Sequence, residues 1–184
     1  MVFTPLHYPQ AYLLYRFSKR FSYPGLLIGS FLPDLEIPVL FLLGYQYPYT
    51  RLVLHSFLGA LAFSWILGLA LLPLYKVLIH RILGIKPLIN TVKYLASVTV
   101  GALLHVLVDG FHHIYNPLLW PLTSSNIDVL VFTSQPIAHI VMHIIFLVLT
   151  ILSLAMILVE TKVWGIKDLL TKILYDPCLL DSAR

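Results

Sequence analysis

Four long apolar stretches divide the chain, each long enough, or nearly so, to cross ~30 Å of hydrocarbon as a helix. The first covers about residues 24–44 and is interrupted by Pro33, Asp34, Glu36 and Pro38. The second, about 52–75, is almost free of charge, and the third, about 91–113, carries His105 and Asp109. The fourth, about 136–160, has His139 and His143 near its start. Ahead of them, residues 5–17 are apolar and aromatic but too short to span, which predicts a half-length helix, interfacial or dipping into the bundle. Residues 165–175 alternate like an amphipathic helix lying on a membrane surface. The pattern predicts an all-α integral membrane bundle in one membrane domain. Residues 1–23 form the half-helix and a basic turn, 24–160 the four-helix core, and 161–184 a cytoplasmic tail.

Composition supports lipid as the solvent. Apolar residues make up 59% of the 184, charged residues only 11%, and the mean hydropathy is +0.89. A soluble domain is nearer ~45–50% apolar and ~25% charged, and a chain of this length cannot hide the excess in a core. The single Cys178 rules out an internal disulfide. The net charge of +4 does not indicate nucleic acid, because the basic residues are spaced along the chain as membrane flanks. With the N-terminus inside, eleven of the twelve Lys and Arg residues fall on the cytoplasmic side and Arg51 alone falls outside. That positive-inside bias predicts both termini in the cytoplasm. No cleavable signal peptide is expected, since Arg16, Lys19 and Arg20 follow the first apolar stretch instead of preceding it.

The informative residues of a membrane helix are its ionisable ones, since an Asp at the bilayer centre costs roughly 2.5–3.5 kcal/mol on insertion scales. Here they are Asp34, Glu36, His55, His105, Asp109, His112, His113, His139 and His143, with no Lys or Arg deep in a span to pair with the carboxylates. His105, Asp109 and His112 recur at i, i+4 and i+7, which places them on one helix face. His139 and His143 repeat the i, i+4 spacing that lets two imidazoles reach one metal. At ~1.5 Å per residue, Asp34, His55, His105 and Asp109 reach matching depths in the outer half of the bilayer. His7 arrives at a similar depth if the half-helix rises from Arg16. One membrane histidine is more often an interhelical hydrogen-bond partner than a ligand, and His80, in a basic loop, reads as solvated. A convergent set of four is a different matter. Mixed His/Asp ligands suit Zn²⁺ or Mn²⁺.

Four segments together resemble the YdjM-like family: F-T-P-L-H at 3–7, I-G-S-F-L-P-D-L-E at 28–36, R-L-V-L-H-S at 51–56 and G-A-L-L-H-V-L-V-D at 101–109. Members are described as LexA-binding, inner-membrane-associated hydrolases or as membrane-bound metal-dependent hydrolases. The order of elements is also similar, more distantly, to zinc-dependent phospholipase C. The resemblance implies that His7, Asp34, His55, His105 and Asp109 ligate metal or take part directly. Thr50 stands where members often carry a histidine before the arginine.

These observations lead to the expectation of a metal-dependent hydrolase acting on a membrane lipid or lipid-linked phosphoester. In that reading Asp109 is catalytic as well as a ligand, His112 or His7 moves protons, and Arg51 holds the phosphate. An intramembrane metal amidase would use similar helices. A transporter or a non-catalytic membrane partner protein would also place His and Asp in a bundle, although no internal repeat of the transporter kind is present.

Overall fold

The computed structural model describes residues 4–46, 49–125, 135–160 and 165–177. Asp128, Lys162, Cys178 and Arg184 lie outside the described residues. A 3-10 turn at Thr4–His7 leads into α1 (Tyr8–Phe17), followed by α2 (Tyr23–Phe31), a 3-10 turn at Leu32–Leu35 and α3 (Glu36–Leu42). Then come α4 (Phe57–Leu83), α5 (Thr91–Gly110), α6 (Gln135–Glu160) and α7 (Ile166–Leu174), with no strand among the described residues. Among the described residues, four helical segments are long and apolar enough to cross a membrane: Tyr23–Leu42, Phe57–Leu83, Thr91–Gly110 and Pro136–Val159. The protein is an all-helical integral membrane protein.

The half-helix dips into the bundle. Tyr8, Ala11 and Tyr12 on one face of α1 are buried and pack with Tyr23, Leu26 and Leu27 of α2 and Ile157 of α6. This packing carries His7, at the entry to α1, into the interior.

Helices α2 and α5 are held at the closest range in the bundle, and glycine sets the distance. Gly25 and Gly29 are spaced i, i+4 on α2 and face α5. A Cβ on Gly29 would stand 2.1 Å from the Val98 carbonyl oxygen, and one on Gly25 would stand 2.4 Å from that of Tyr94. From the other side, a Cβ on Gly101 would meet the Leu26 carbonyl oxygen at 2.6 Å. Lipid tails provide no hydrophobic drive for helix association, so small residues that admit close backbone approach supply the packing instead. Ser30, one residue past Gly29, therefore arrives beside His105.

The second and third spans differ from the expected bounds. Residues 52–56 are not helical. Ser56 caps α4 by accepting from the Gly59 N–H at 2.9 Å, so the helix starts at Phe57 and leaves 51–56 as a loop at the bundle mouth. The helix then continues past Tyr75 to Leu83 and ends at Gly84, whose φ of 76° suits glycine. Its 27 residues measure about 40 Å, so the turns bearing Lys76, His80 and Arg81 reach past the hydrocarbon. Helix α5 ends at Gly110, so His112 and His113 sit in the turn beyond it instead of on its face. Asn116 stabilises that turn by donating from Nδ2 to the His113 carbonyl at 2.6 Å.

At the opposite end of the bundle, tyrosine hydroxyls fasten α7. Tyr23 donates to the Ile173 carbonyl at 2.7 Å and Tyr75 to that of Leu174 at 2.6 Å.

Candidate metal centre

The centre forms where α5 ends and α4 begins, around the 3-10 turn that follows α2. That turn, set by Pro33, brings Asp34 into the interior. His105 and Asp109, one helical turn apart on α5, face it. His55 comes from the loop before α4, and Glu36 holds that loop in place. The Glu36 carboxylate accepts backbone N–H bonds from Leu52, Val53 and Leu54 at 3.2, 2.5 and 3.1 Å, and a fourth bond from His55 Nδ1 at 2.9 Å.

One ligand-type atom from each of Asp34, His55, His105 and Asp109 lies within 4.8 Å of every other, and all four residues are buried. Asp34 Oδ1 is 3.6 Å from His55 Nε2 and 3.5 Å from His105 Nε2. Asp109 Oδ2 is 3.2 Å from His105 Nε2 and 3.8 Å from His55 Nε2. Ligands of a tetrahedral Zn²⁺ at ~2.0–2.1 Å stand ~3.3–3.4 Å from one another. The four His-to-Asp separations, 3.2–3.8 Å, are about that long.

The imidazole protons point away from this centre. His105 Nδ1 lies 2.7 Å from the Ser30 carbonyl oxygen, and His55 Nδ1 contacts the Glu36 carboxylate. A carbonyl or carboxylate oxygen can only accept, so each Nδ1 carries the hydrogen and each ring turns its Nε2 inward, as a lone pair whenever a cation is bound there. This arrangement matches the outer support of protein metal sites, where the second ring nitrogen donates to a carboxylate or carbonyl. The inward atoms make no hydrogen bond among the described residues: both Asp34 oxygens, His55 Nε2, His105 Nε2 and Asp109 Oδ1. Orphaned buried polar atoms cost roughly 1–3 kcal/mol each, and Asp34 Oδ1, His55 Nε2 and His105 Nε2, which converge, fit a shared cation. Charge agrees. Asp34, Glu36 and Asp109 are buried with Arg51 as the one nearby Lys or Arg among the described residues, which leaves two negative charges on these side chains when the imidazoles are neutral.

Arg51 is not at an outer interface, as its sequence position suggested. It is buried, and its Nη1 pairs with Asp109 Oδ2. The fold of residues 51–56 over Glu36 brings this cation inward, so a carboxylate of the third span does have an arginine partner.

His7 and His112 lie around Asp109 Oδ1, on the other side of that carboxylate. His7 Nε2 is 3.5 Å away and His112 Nε2 3.8 Å. The His7 ring stacks on His105 with centroids 4.0 Å apart, and its Nδ1 meets the Gln10 side-chain amide at 2.8 Å. Burial pushes the His7 imidazole down to about 3 and that of His112 down to about 4, so both rings are neutral at physiological pH. His113 and His139 join them: one nitrogen from each of His112, His113 and His139 lies within 4.8 Å of the others. His143 packs beside His139 with centroids 4.3 Å apart.

Sequence reasoning gave Glu36 no role beyond being ionisable, although it organises the whole 52–55 loop. Its position two residues after Asp34, between Pro33 and Pro38 in a broken span, was the available signal. The Ser30 carbonyl and Gln10 left no such signal, because their roles depend on the close approach of other helices.

No curated protein and no solved structure matches the chain. Residues 8–166 match one protein family, a segment that includes every residue of the four-ligand centre and begins one residue after His7. With that match over most of its length, the chain belongs to the YdjM inner membrane protein family.

Proposed function

We propose that the protein is a membrane-embedded, metal-dependent hydrolase acting on a lipid or lipid-linked phosphoester. The observation that carries this reading is the set of four buried ligand-type atoms within 4.8 Å of one another, with the Nδ1 hydrogens of both imidazoles directed outward. A divalent cation held by Asp34, His55, His105 and Asp109, Zn²⁺ or Mn²⁺ by donor type, would polarise the scissile group and acidify a water toward neutral pKa.

The chain's own residues have distinct tasks in this scheme. Arg51 meets Asp109 through Nη1, and a guanidinium has five N–H donors, so its remaining edge is suited to a phosphate oxygen. That cation beside the ligands favours a phosphoester over an amide. Water oxygen bonds to phosphorus, the ester P–O bond breaks, and the departing alkoxide takes up a proton. The attacking water gives up that proton, and His7, beside Asp109 Oδ1 and held at Nδ1 by Gln10, is placed to relay it to the alkoxide. Asp109 keeps Arg51 and the ligand histidines in register through both carboxylate oxygens.

A lipid substrate is supported by the surroundings. An apolar cavity of about 300 Å³ is lined by Pro5, Tyr8, Leu27, Phe31, Thr150 and Leu154, among others. Its lining runs from Pro5 and Tyr8, near His7, to Ile173 and Leu174 of α7, a length of apolar wall suited to an acyl chain.

Purified protein in detergent or bilayers should hydrolyse a lipid phosphoester and lose that activity to a chelator. His105→Ala and Asp109→Asn should each reduce turnover by at least ~100-fold while the protein stays folded, and His80→Ala, at the far end of α4, should leave it unchanged. Chelator-insensitive activity, or full activity in Asp109→Asn, would overturn the mechanism.

A further inference from the structure

We propose that Asp109 bridges two cation subsites and that His112, His113 and His139 form the second. The inference rests on the metal-dependent reading above and extends it from one ion to two.

Asp109 divides its oxygens between two groups of histidines. Oδ2 faces His55, His105 and the Arg51 guanidinium. Oδ1 faces His112 Nε2 and His113 Nε2, each at 3.8 Å. Adding His139, whose ligand nitrogen lies within 4.8 Å of theirs, gives three clustered imidazoles, two of which also face the Asp109 Oδ1 oxygen. That donor set suits Zn²⁺ or another borderline divalent ion.

Nitrogen chemistry points to a ligand here, and not to a self-satisfied histidine cluster. His112 Nδ1 lies 3.1 Å from the Val108 carbonyl oxygen, so its ring hydrogen is committed there and Nε2 is left as a bare lone pair. His112 Nε2, His113 Nε2 and Asp109 Oδ1 are all buried without a hydrogen bond among the described residues. The rings crowd together, with centroids 4.2 Å apart for His112 and His113, 5.7 Å for His112 and His139, and 5.8 Å for His113 and His139. The His112 and His113 rings, packed this closely, leave Nε2 atoms that a cation beside Asp109 Oδ1 would satisfy. The turn after Gly110 is built to present them. It stops α5 before His112, and Asn116 Nδ2 holds the His113 carbonyl, so two adjacent histidines aim at one carboxylate. A helix continued through this region would have sent His112 and His113 about 100° apart.

A carboxylate shared between two ions is the arrangement that sets a pair ~3.5–4 Å apart, the spacing used to stabilise both the attacking and the leaving oxygen in phosphoester cleavage. Arg51 and the two-ion centre would then contact different oxygens of the same phosphate.

The test is metal stoichiometry on the full-length chain in detergent, by elemental analysis after loading with Zn²⁺, together with electron paramagnetic resonance of the Mn²⁺-loaded form. Wild type should hold two ions per chain and give a spin-coupled Mn²⁺ signal. His112→Ala and, as a milder change on half-buried α6, His139→Gln should each bind one ion and show an uncoupled six-line spectrum, with unfolding temperature measured on the same samples. His55→Ala should likewise hold one ion, and Asp109→Asn fewer than one. Wild type with a single ion that His55→Ala removes would overturn the second subsite and leave the hydrolase reading intact. Wild type with no ion would overturn both. Two ions retained in folded His112→Ala and His139→Gln would place the second ion elsewhere and sink this assignment.

Discussion

The two ends of the α2–α5 pair are built from the same backbones and solve opposite problems. Toward the α7 end, Gly25, Gly29 and Gly101 bring the helices into backbone contact around buried Tyr94 and Val98, and the nearby tyrosine hydroxyls donate to carbonyls. Toward the other end, Ser30 and Asp34 of the first span meet His105 and Asp109, and both Asp34 oxygens, His105 Nε2 and Asp109 Oδ1 are buried without a hydrogen bond among the described residues. One end spends its polar groups on holding the fold, and the other groups several where they could hold a cation. The rigid end is also what gives the second its precision, because the α2–α5 distance fixed by Gly29 sets the Ser30–His105 bond that orients the ring.

The comparison can be broken from the packed end first. Gly29→Leu forces a side chain into a carbonyl 2.1 Å from the new Cβ, which no rotamer relieves. Overpacking typically costs ~1–3 kcal/mol and more when backbone is the obstacle, so the variant should fail to yield monodisperse protein in detergent. A well-folded Gly29→Leu that still bound metal would show that the close approach is not what positions the centre. A smaller effect is expected from Glu36→Gln. It keeps the shape but weakens four accepted bonds, including the one that fixes His55. Loss of such outer support typically costs ~10–100-fold in metal affinity, readable by competition with a chromophoric chelator, whereas an unchanged affinity would reduce Glu36 to a loop anchor. The smallest effect belongs to the far end. Tyr75→Phe removes a hydroxyl bonded to the Leu174 carbonyl, and a net hydrogen bond contributes about 0.5–1.5 kcal/mol. Thermal unfolding should move by a few degrees with metal content unchanged, and a parallel loss of metal would mean that the two ends are not separable.

Much of this was legible in the sequence because membranes make polarity expensive. Asp34, His55, His105 and Asp109 stood out against apolar runs, and helical rise alone put them at one depth. The half-helix and the amphipathic α7 were equally plain from length and periodicity. What the pattern could not convey was where backbone leaves the helix. The apolar run 52–55 reads as membrane span, yet it is a loop clamped by a carboxylate sixteen to nineteen positions earlier. The i, i+7 spacing of His112 suggested one face of α5, but the helix stops at Gly110 and a turn delivers the residue instead. Arg51 was misplaced for the same reason, since only the folded loop carries it to Asp109. Long-range bonds to Glu36 and Asp109 decided the loop and Arg51, local bonds from Asn116 hold the turn after α5, and periodicity contains no information about any of them.

The central claim is that Asp34, His55, His105 and Asp109 hold a divalent cation, and metal content tests it most directly. Wild type, Asp34→Asn and His105→Ala should be purified in parallel without added chelator, checked for folding by thermal unfolding, and analysed for transition metals per chain. The account predicts stoichiometric Zn²⁺ or Mn²⁺ in wild type and a loss of at least one ion per chain in both variants, with the fold retained. Folded wild type that carries no metal and takes up none on incubation with Zn²⁺ or Mn²⁺ would contradict it.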